Sequence, residues 1–304
     1  MFLRKFVYLE LRGGIMLKTS IESGINLGES GSYEVFKYLR SLGYDAVDYQ
    51  AFSCEPAKRI YALDDKEFDE FVLRDAAYAK EAGIEIIQTH GPWPYDDSKP
   101  EQYEPKLEAM KKAIRGSALI GAQFVVMHPV IPTWQESPNH AEHFAENVRY
   151  FKLLSEYAKE YGVKIALENM PGRFVCCGPV RELADCIDAV DSESLVACLD
   201  TGHANYSAKR YVSRENIGDA VRTLGDRLAC LHIHDNDGQE DQHLMPYYGI
   251  IDWGNFVSAL KEIHYKGPIN FECHTTKAPA PLKLQSDKWL LEVARYFAKE
   301  ADCD

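Results

Sequence analysis

Residues 83–90 read GIEIIQTH and residues 121–128 read GAQFVVMH. Each is a glycine, a short apolar and β-branched run, and a histidine. Glycine is the usual residue just past a helix end, because the left-handed backbone costs it nothing. A short continuous apolar run reads as a strand buried on both faces. The pattern returns in GVKIALE, ending at Glu168, in GDRLACLH, ending at His232, and in GPINFE, ending at Glu272. Its glycines are Gly83, Gly121, Gly162, Gly225 and Gly267. A further apolar run ends at Asp200. The six terminal residues His90, His128, Glu168, Asp200, His232 and Glu272 stand 38, 40, 32, 32 and 40 residues apart. That is the length of one strand-plus-helix unit in a (β/α)₈ barrel, which runs to ~250 residues for eight units. A barrel gathers the C-terminal ends of its strands into one ring. A metal-type side chain at one strand end after another therefore predicts one convergent metal site.

Counted outward from these runs, eight strands fall near residues 17–22, 46–52, 84–90, 123–129, 163–169, 195–200, 228–234 and 268–273. Segments such as SYEVFKYLRSLG, KEFDEFVLRDAAYAKEAG, PKLEAMKKAIRGSALIG and HFAENVRYFKLLSEYAKEYG fill the gaps. Their apolar residues recur every three or four positions, the mark of a helix with one buried face. Strand–helix alternation along the whole chain predicts an α/β fold, a (β/α)₈ TIM barrel in a single domain. Met16 stands directly before the first strand. We therefore read residues 1–15 as an N-terminal extension and 16–304 as the barrel.

Composition narrows the classes. The 46% hydrophobic content is ample for a core, and no run reaches the ~18 apolar residues of a membrane span. MFLRKFVYLELRGG is too interrupted by charge for a signal peptide. Eight cysteines show no CxxC pair, and Cys198, Cys230 and Cys273 fall inside predicted strands as small buried thiols. A reduced, cytoplasmic protein follows. The net charge of −13 repels phosphate backbones, and no basic stripe offsets it, so nucleic acid is not the expected partner.

A single histidine at a strand end is more often a hydrogen-bonded structural residue than a ligand. The carboxylates are harder to explain that way. Strand alternation puts Ala166 with Glu168 on one face, and Asn270 with Glu272 on one face. A carboxylate aimed into a barrel mouth needs a cation or donors to offset its desolvation. His203 follows Asp200 in LDTGH, His234 shares a face with His232, and Asp241 with His243 is spaced to chelate. A mixed imidazole and carboxylate set suits zinc, manganese, iron or cobalt.

In order, THGPW, MHP, ALENMPG, LDTGH, HIHDND, DQH and FEC resemble the xylose isomerase-like barrels. That superfamily holds sugar isomerases, ketose 3-epimerases, inosose-processing enzymes and endonuclease IV. The resemblance covers residues 16–300. It implies one divalent metal on Glu168, Asp200, His232 and Glu272, with His232 preferred to His234 because Asp235 then completes His-x-x-Asp. It further implies that Glu168 and Glu272 exchange a proton beside a carbonyl, through an enediolate stabilised by the metal. His203 and His234 would meet substrate oxygens.

The same resemblance offers a rival. All nine ligand positions of the trinuclear endonuclease IV site are filled. His90, His128 and Glu168 would hold one ion, the set above a second, and His203, Asp241 and His243 a third. Such a cluster activates water for phosphodiester cleavage. The loops argue for a small molecule instead. After His90 the chain reads GPWPYDDSKPE, acidic and aromatic, where duplex binding needs basic residues. Trp93, Tyr95, Trp134, Tyr247, Tyr248 and Trp253 crowd the predicted rim, where aromatic faces suit sugar rings. Arg173, Lys209, Arg210 and Lys277 could grip a substrate phosphate. The expectation is a sugar or sugar-phosphate isomerase or epimerase holding one to three divalent ions, zinc or manganese first, magnesium or cobalt next. A phosphodiesterase acting on abasic DNA and a non-catalytic metal or sugar binder are the alternatives. Homo-oligomerisation is left open.

Overall fold

The computed structural model describes residues 17–24, 31–56, 59–94, 101, 103–130, 139–171, 176–210, 216–273 and 279–302. Eight strands appear at the expected places: β1 (Thr19–Glu22), β2 (Ala46–Tyr49), β3 (Glu85–His90), β4 (Phe124–Met127), β5 (Lys164–Glu168), β6 (Leu195–Asp200), β7 (Leu228–His232) and β8 (Ile269–Phe271). They form one parallel sheet in the order β7-β6-β5-β4-β3-β2-β1-β8. The edges β7 and β8 meet through a parallel bridge between Ile233 and Phe271. This nearly closes the sheet on itself. It is a single-domain (β/α)₈ TIM barrel, as the sequence pattern implied. The extension assigned to residues 1–15 lies outside the described residues.

The helices follow from local chemistry. α1 (Ser32–Leu42) joins β1 to β2, and α2 (Asp65–Ala82) joins β2 to β3. Asp64 caps α2, and Glu67 returns the bond in a capping box. Phe68, Val72 and Ala79 form its buried face. α3 (Tyr103–Ile120), α4 (His140–Tyr161), α5 (Val180–Val190), α6 (Thr201–Arg210), α7 (Ile217–Leu224), α8 (Trp253–Glu262) and α9 (Ala280–Ala301) complete the outer layer. Gly83 and Gly162 end α2 and α4 with φ of 73° and 67°. Gly267 does something different from what its position suggested. α8 stops at Glu262, and a Cβ on Gly267 would lie 2.1 Å from the Ala229 carbonyl oxygen. Close backbone approach, not a helix cap, demands this glycine.

Most of the apolar core lies between barrel and helices. Inside the barrel sits a separate cluster of Val126, Ala166, Cys198 and Cys230. Trp253, expected on the rim, belongs to the outer core. It is 2% exposed and packs on Phe256 and Phe297. Tyr247 and Tyr248 are exposed, while Tyr95 and Trp134 lie outside the described residues. Among the described residues no helix is long and apolar enough to cross a membrane.

Candidate metal centre

Strand alternation aims every second side chain into the barrel. At the C-terminal ends this delivers His90 from β3, Glu168 from β5, Asp200 from β6 and His232 from β7. His128 and Glu272 follow β4 and β8 directly. Each of the six is buried or nearly so, Glu272 keeping 17% side-chain exposure. Their ligand atoms, with those of neighbouring loops, fall into three groups. His90, His128 and Glu168 make one. Glu168, Asp200, His232 and Glu272 make the second. His203, His234, Asp241 and His243 make the third.

Three imidazoles, those of His90, His203 and His243, are held in a way that identifies which nitrogen is free. A backbone carbonyl can only accept, so the ring nitrogen against it must carry the proton. His90 Nδ1–H donates to Gly91 O, His203 Nδ1–H to Asn169 O, and His243 Nδ1–H to Glu272 O, each at 2.9 Å. The opposite nitrogens then face carboxylate oxygens. His90 Nε2 lies 3.7 Å from Glu168 Oε2, and His128 Nε2 lies 3.2 Å from the same atom. His203 Nε2 and His243 Nε2 lie 3.3 and 3.4 Å from Asp241 Oδ2. His232 Nδ1 lies 3.1 Å from Glu168 Oε1 and 3.2 Å from Glu272 Oε2. A bare nitrogen facing a carboxylate oxygen is two acceptors meeting, which only a proton or a cation can reconcile. Donor atoms ~2.0–2.2 Å from one tetrahedral ion stand ~3.3–3.6 Å apart. The observed separations, 3.1–3.7 Å, straddle that edge. Anchoring the second ring nitrogen is also how metal-binding histidines are oriented. The donor sets fit divalent cations.

Electrostatics follows the same geometry. Burial pushes the Glu168 carboxyl up, but the His232 charge and the bonds from His128, His232 and His90 hold it well below the usual range. Burial dominates at Glu272 and, with the Glu168 charge, raises its carboxyl despite His232. Burial lowers His128 to about 4. It opposes protonation of His243 too, yet the Asp241 bond raises that ring to about 9. The two glutamates are therefore unequal.

A further grouping of His140, Cys176 and Glu182 reads as an ion pair. One Glu182 oxygen is taken by His140 and the other by the Cys177 N–H at 3.0 Å.

The sequence profile of the xylose isomerase-like TIM barrel family matches residues 36–299. The chain belongs to that family. Among curated relatives it is 32% identical, over 62% of its own length and 64% of the other's, to an uncharacterised protein of Methanocaldococcus jannaschii. The match thus spans less than two thirds of that relative. It is 27% identical to D-psicose 3-epimerase of Enterocloster bolteae, over 75% of this chain and 72% of that protein. It is 30% identical to a probable endonuclease 4 of a Geobacillus species, over 55% and 58%. Among solved structures, a D-psicose 3-epimerase crystallised in the presence of D-fructose superposes with a TM-score of 0.73 at 17% identity, covering 93% of this chain and 99% of that one. At that identity the likeness speaks for the fold.

Within this xylose isomerase-like barrel, all nine expected ligand residues fall into the three groups. His234 is fully buried; its Nε2 lies 3.0 Å from Asp200 Oδ2 and its ring stacks on His243 at 3.9 Å. It therefore joins the third group rather than an open substrate face. Its ring also explains the glycine of LDTGH, since a Cβ on Gly202 would meet His234 Cε1 at 1.8 Å. Trp93 lies against His128, with centroids 4.5 Å apart. Arg173 and Lys277, and the side chains of Lys209 and Arg210, lie outside the described residues. Asp235, read from sequence as part of a ligand motif, instead organises the loop carrying Asp241 and His243. Its carboxylate accepts from Asn236, Tyr247, Ile250 and Ile251 N–H and from Trp253 Nε1.

Two residues escaped the sequence reading. Glu22, ending β1, stands next in register to Glu272, since Ile21 pairs with Phe271. Burial and the charges of Glu272 and Asp48 raise its carboxyl to about 7. Asp48, near the end of β2, bonds His232 Nε2 at 3.1 Å. Glu22 occupies a strand end, and that position was the available signal; Asp48 lies inside its strand and carried none.

Proposed function

We propose that the protein is a divalent-metal-dependent isomerase or epimerase of a small polyhydroxy ketone or its phosphate. The observation that carries this reading is the inequality of Glu168 and Glu272 in one donor group. Glu168 is 1% exposed, with Oε1 3.1 Å from His232 Nδ1 and Oε2 3.2 Å from His128 Nε2. Glu272 keeps a face toward the mouth, and burial raises its carboxyl. A carboxyl that is reachable and raised toward neutrality suits proton transfer at carbon. Glu168, Asp200, His232 and Glu272 would hold a zinc or manganese ion, which when bound would polarise the substrate's carbonyl and adjacent hydroxyl. Glu272 would take the proton beside that carbonyl. Glu168, on the other side of the cation position, would complete the pair. Trp93 would cover an apolar sugar face, and His203 would lie within reach of a substrate oxygen. The relatedness to D-psicose 3-epimerase supports the class, and so does the negative chain, which favours a small molecule over a duplex.

Replacing Glu272 with Gln tests this. The amide still offers an oxygen to a cation but takes no proton. Exchange of a substrate C–H with D₂O, screened over ketopentoses, ketohexoses and their phosphates with Mn²⁺, Mg²⁺, Co²⁺ or Zn²⁺, should fall by ~10²–10⁴. The second reading, a phosphodiesterase of the endonuclease 4 kind, is favoured by the three complete donor groups. Three tightly held zinc ions, cleavage of abasic duplex DNA and no exchange into any sugar would establish it and overturn the first.

A further inference from the structure

Asp48 is fully buried on the barrel interior. Its Oδ2 receives three donors from three other strands: Gln88 Nε2 at 2.8 Å, His232 Nε2 at 3.1 Å and Asn270 Nδ2 at 3.3 Å. Its Oδ1 has no hydrogen-bond partner among the described residues. Taking a carboxylate out of water costs several kcal/mol, and imperfect pairing does not restore it. Stability alone therefore gives no reason for an acid here.

The reason lies in His232. Carboxylate oxygens flank both of its nitrogens, Glu168 and Glu272 at Nδ1 and Asp48 at Nε2. A neutral imidazole carries one proton. On Nδ1, that proton would satisfy the two glutamates and close the central donor group to a cation. On Nε2 it leaves Nδ1 bare. His90, His203 and His243 have this choice made by a backbone carbonyl, whereas His232 has none. We propose that Asp48 is the positioning residue that holds the His232 proton on Nε2 and thereby opens Nδ1 to the cation shared with Glu168, Asp200 and Glu272. Gln88 and Asn270 enforce this, because an amide facing a carboxylate presents its NH₂. They fix Asp48 Oδ2 as an acceptor, and it can only receive from the ring. The inference rests on the metal-centre part of the proposed function and is independent of which reaction the centre performs.

The test uses the full chain, stripped with a chelator and titrated with zinc against a competing chelator, with bound zinc counted per chain. Long-range ¹H–¹⁵N correlation reads the His232 tautomer. Zinc-loaded wild type should show the Nε2–H form at neutral pH. Asp48→Ala should weaken one ion by ~10–100-fold and leave the other zinc sites at wild-type affinity. Asp48→Asn keeps the volume if the alanine variant fails to fold. Its NH₂ can turn toward the ring, admitting the Nδ1–H form, and it should weaken the same ion. Wild-type zinc affinity in both variants, or an Nδ1–H tautomer in the zinc-loaded wild type, overturns the assignment. A wild-type chain that takes up no divalent ion overturns the metal-centre reading with it.

Discussion

The inward-facing residue two places before each strand-end group divides the barrel into unlike halves. On β4 to β7 those residues are Val126, Ala166, Cys198 and Cys230, a closed apolar cluster. On β8, β1, β2 and β3 they are Asn270, Ser20, Asp48 and Gln88, all fully buried and polar. Four oxygens of the second half, Asn270 Oδ1, Ser20 Oγ, Asp48 Oδ1 and Gln88 Oε1, have no hydrogen-bond partner among the described residues. The apolar half fills space as a packed core does. The polar half is costly by the same standard, yet among the described residues it supports a candidate ligand from below, through the Asp48–His232 bond. Groups above the apolar half find no polar partner beneath them on their own strands: Glu168 meets its imidazoles sideways, and His232 is reached from below only by Asp48 of the other half.

The largest expected effect follows from that. Glu168 stands above Ala166 and meets imidazoles of His90, His128 and His232. Glu168→Ala removes their common counterpart and should cost the metal-free protein ~3–5 kcal/mol in urea unfolding. It should also lose ions from two donor groups at once. A variant that lost one ion alone would break the picture of Glu168 as the shared carboxylate.

A smaller effect sharpens the role of the mouth. His243 is raised to about 9 in the folded chain, above the ~6.5 of an unfolded histidine. Its stabilising share is therefore complete below pH ~6.5 and lost as pH rises through ~9. The Tm of the metal-free protein should fall across that window, by a loss on the order of 1–3 kcal/mol. Zinc binding needs the deprotonated ring, so the Tm rise on adding zinc should grow over the same range. Parallel curves with and without zinc would remove His243 from the ligand set.

The two halves themselves should respond oppositely. Ala166→Leu overfills the apolar half and should cost ~1–3 kcal/mol with the metal count unchanged. Ser20→Ala removes a buried hydroxyl from the polar half. It should be neutral or stabilising by up to ~1 kcal/mol, and metal affinity should stay as in wild type. A destabilised Ser20→Ala would show that this hydroxyl has a partner.

Much of this was legible in the chain alone. An apolar run ending in His, Asp or Glu at near-constant intervals is a local signal; it located six strand ends, counting outward from them placed all eight strands, and the candidate donors His203, Asp241 and His243 rested on loop spacing and the family resemblance. The period of two places Glu168 above Ala166 and Glu272 above Asn270 from sequence alone. What the sequence left open depends on how far one strand is shifted against the next. Asp48 and His232 lie 184 residues apart, and nothing in YDAVDYQ announces that the acid will lie under a histidine of β7. Register likewise set Glu22 beside Glu272 and turned His234 behind Asp200. Trp253 packs in the core on Phe256 and Phe297, with Asp235 there to accept its indole N–H. Residue type and spacing determined the fold and the six candidate donors at strand ends, since both are properties of single strands. The choice of ring nitrogen, the shared carboxylate and the support from below were decided by tertiary structure, since each is a contact between strands that only barrel closure brings together.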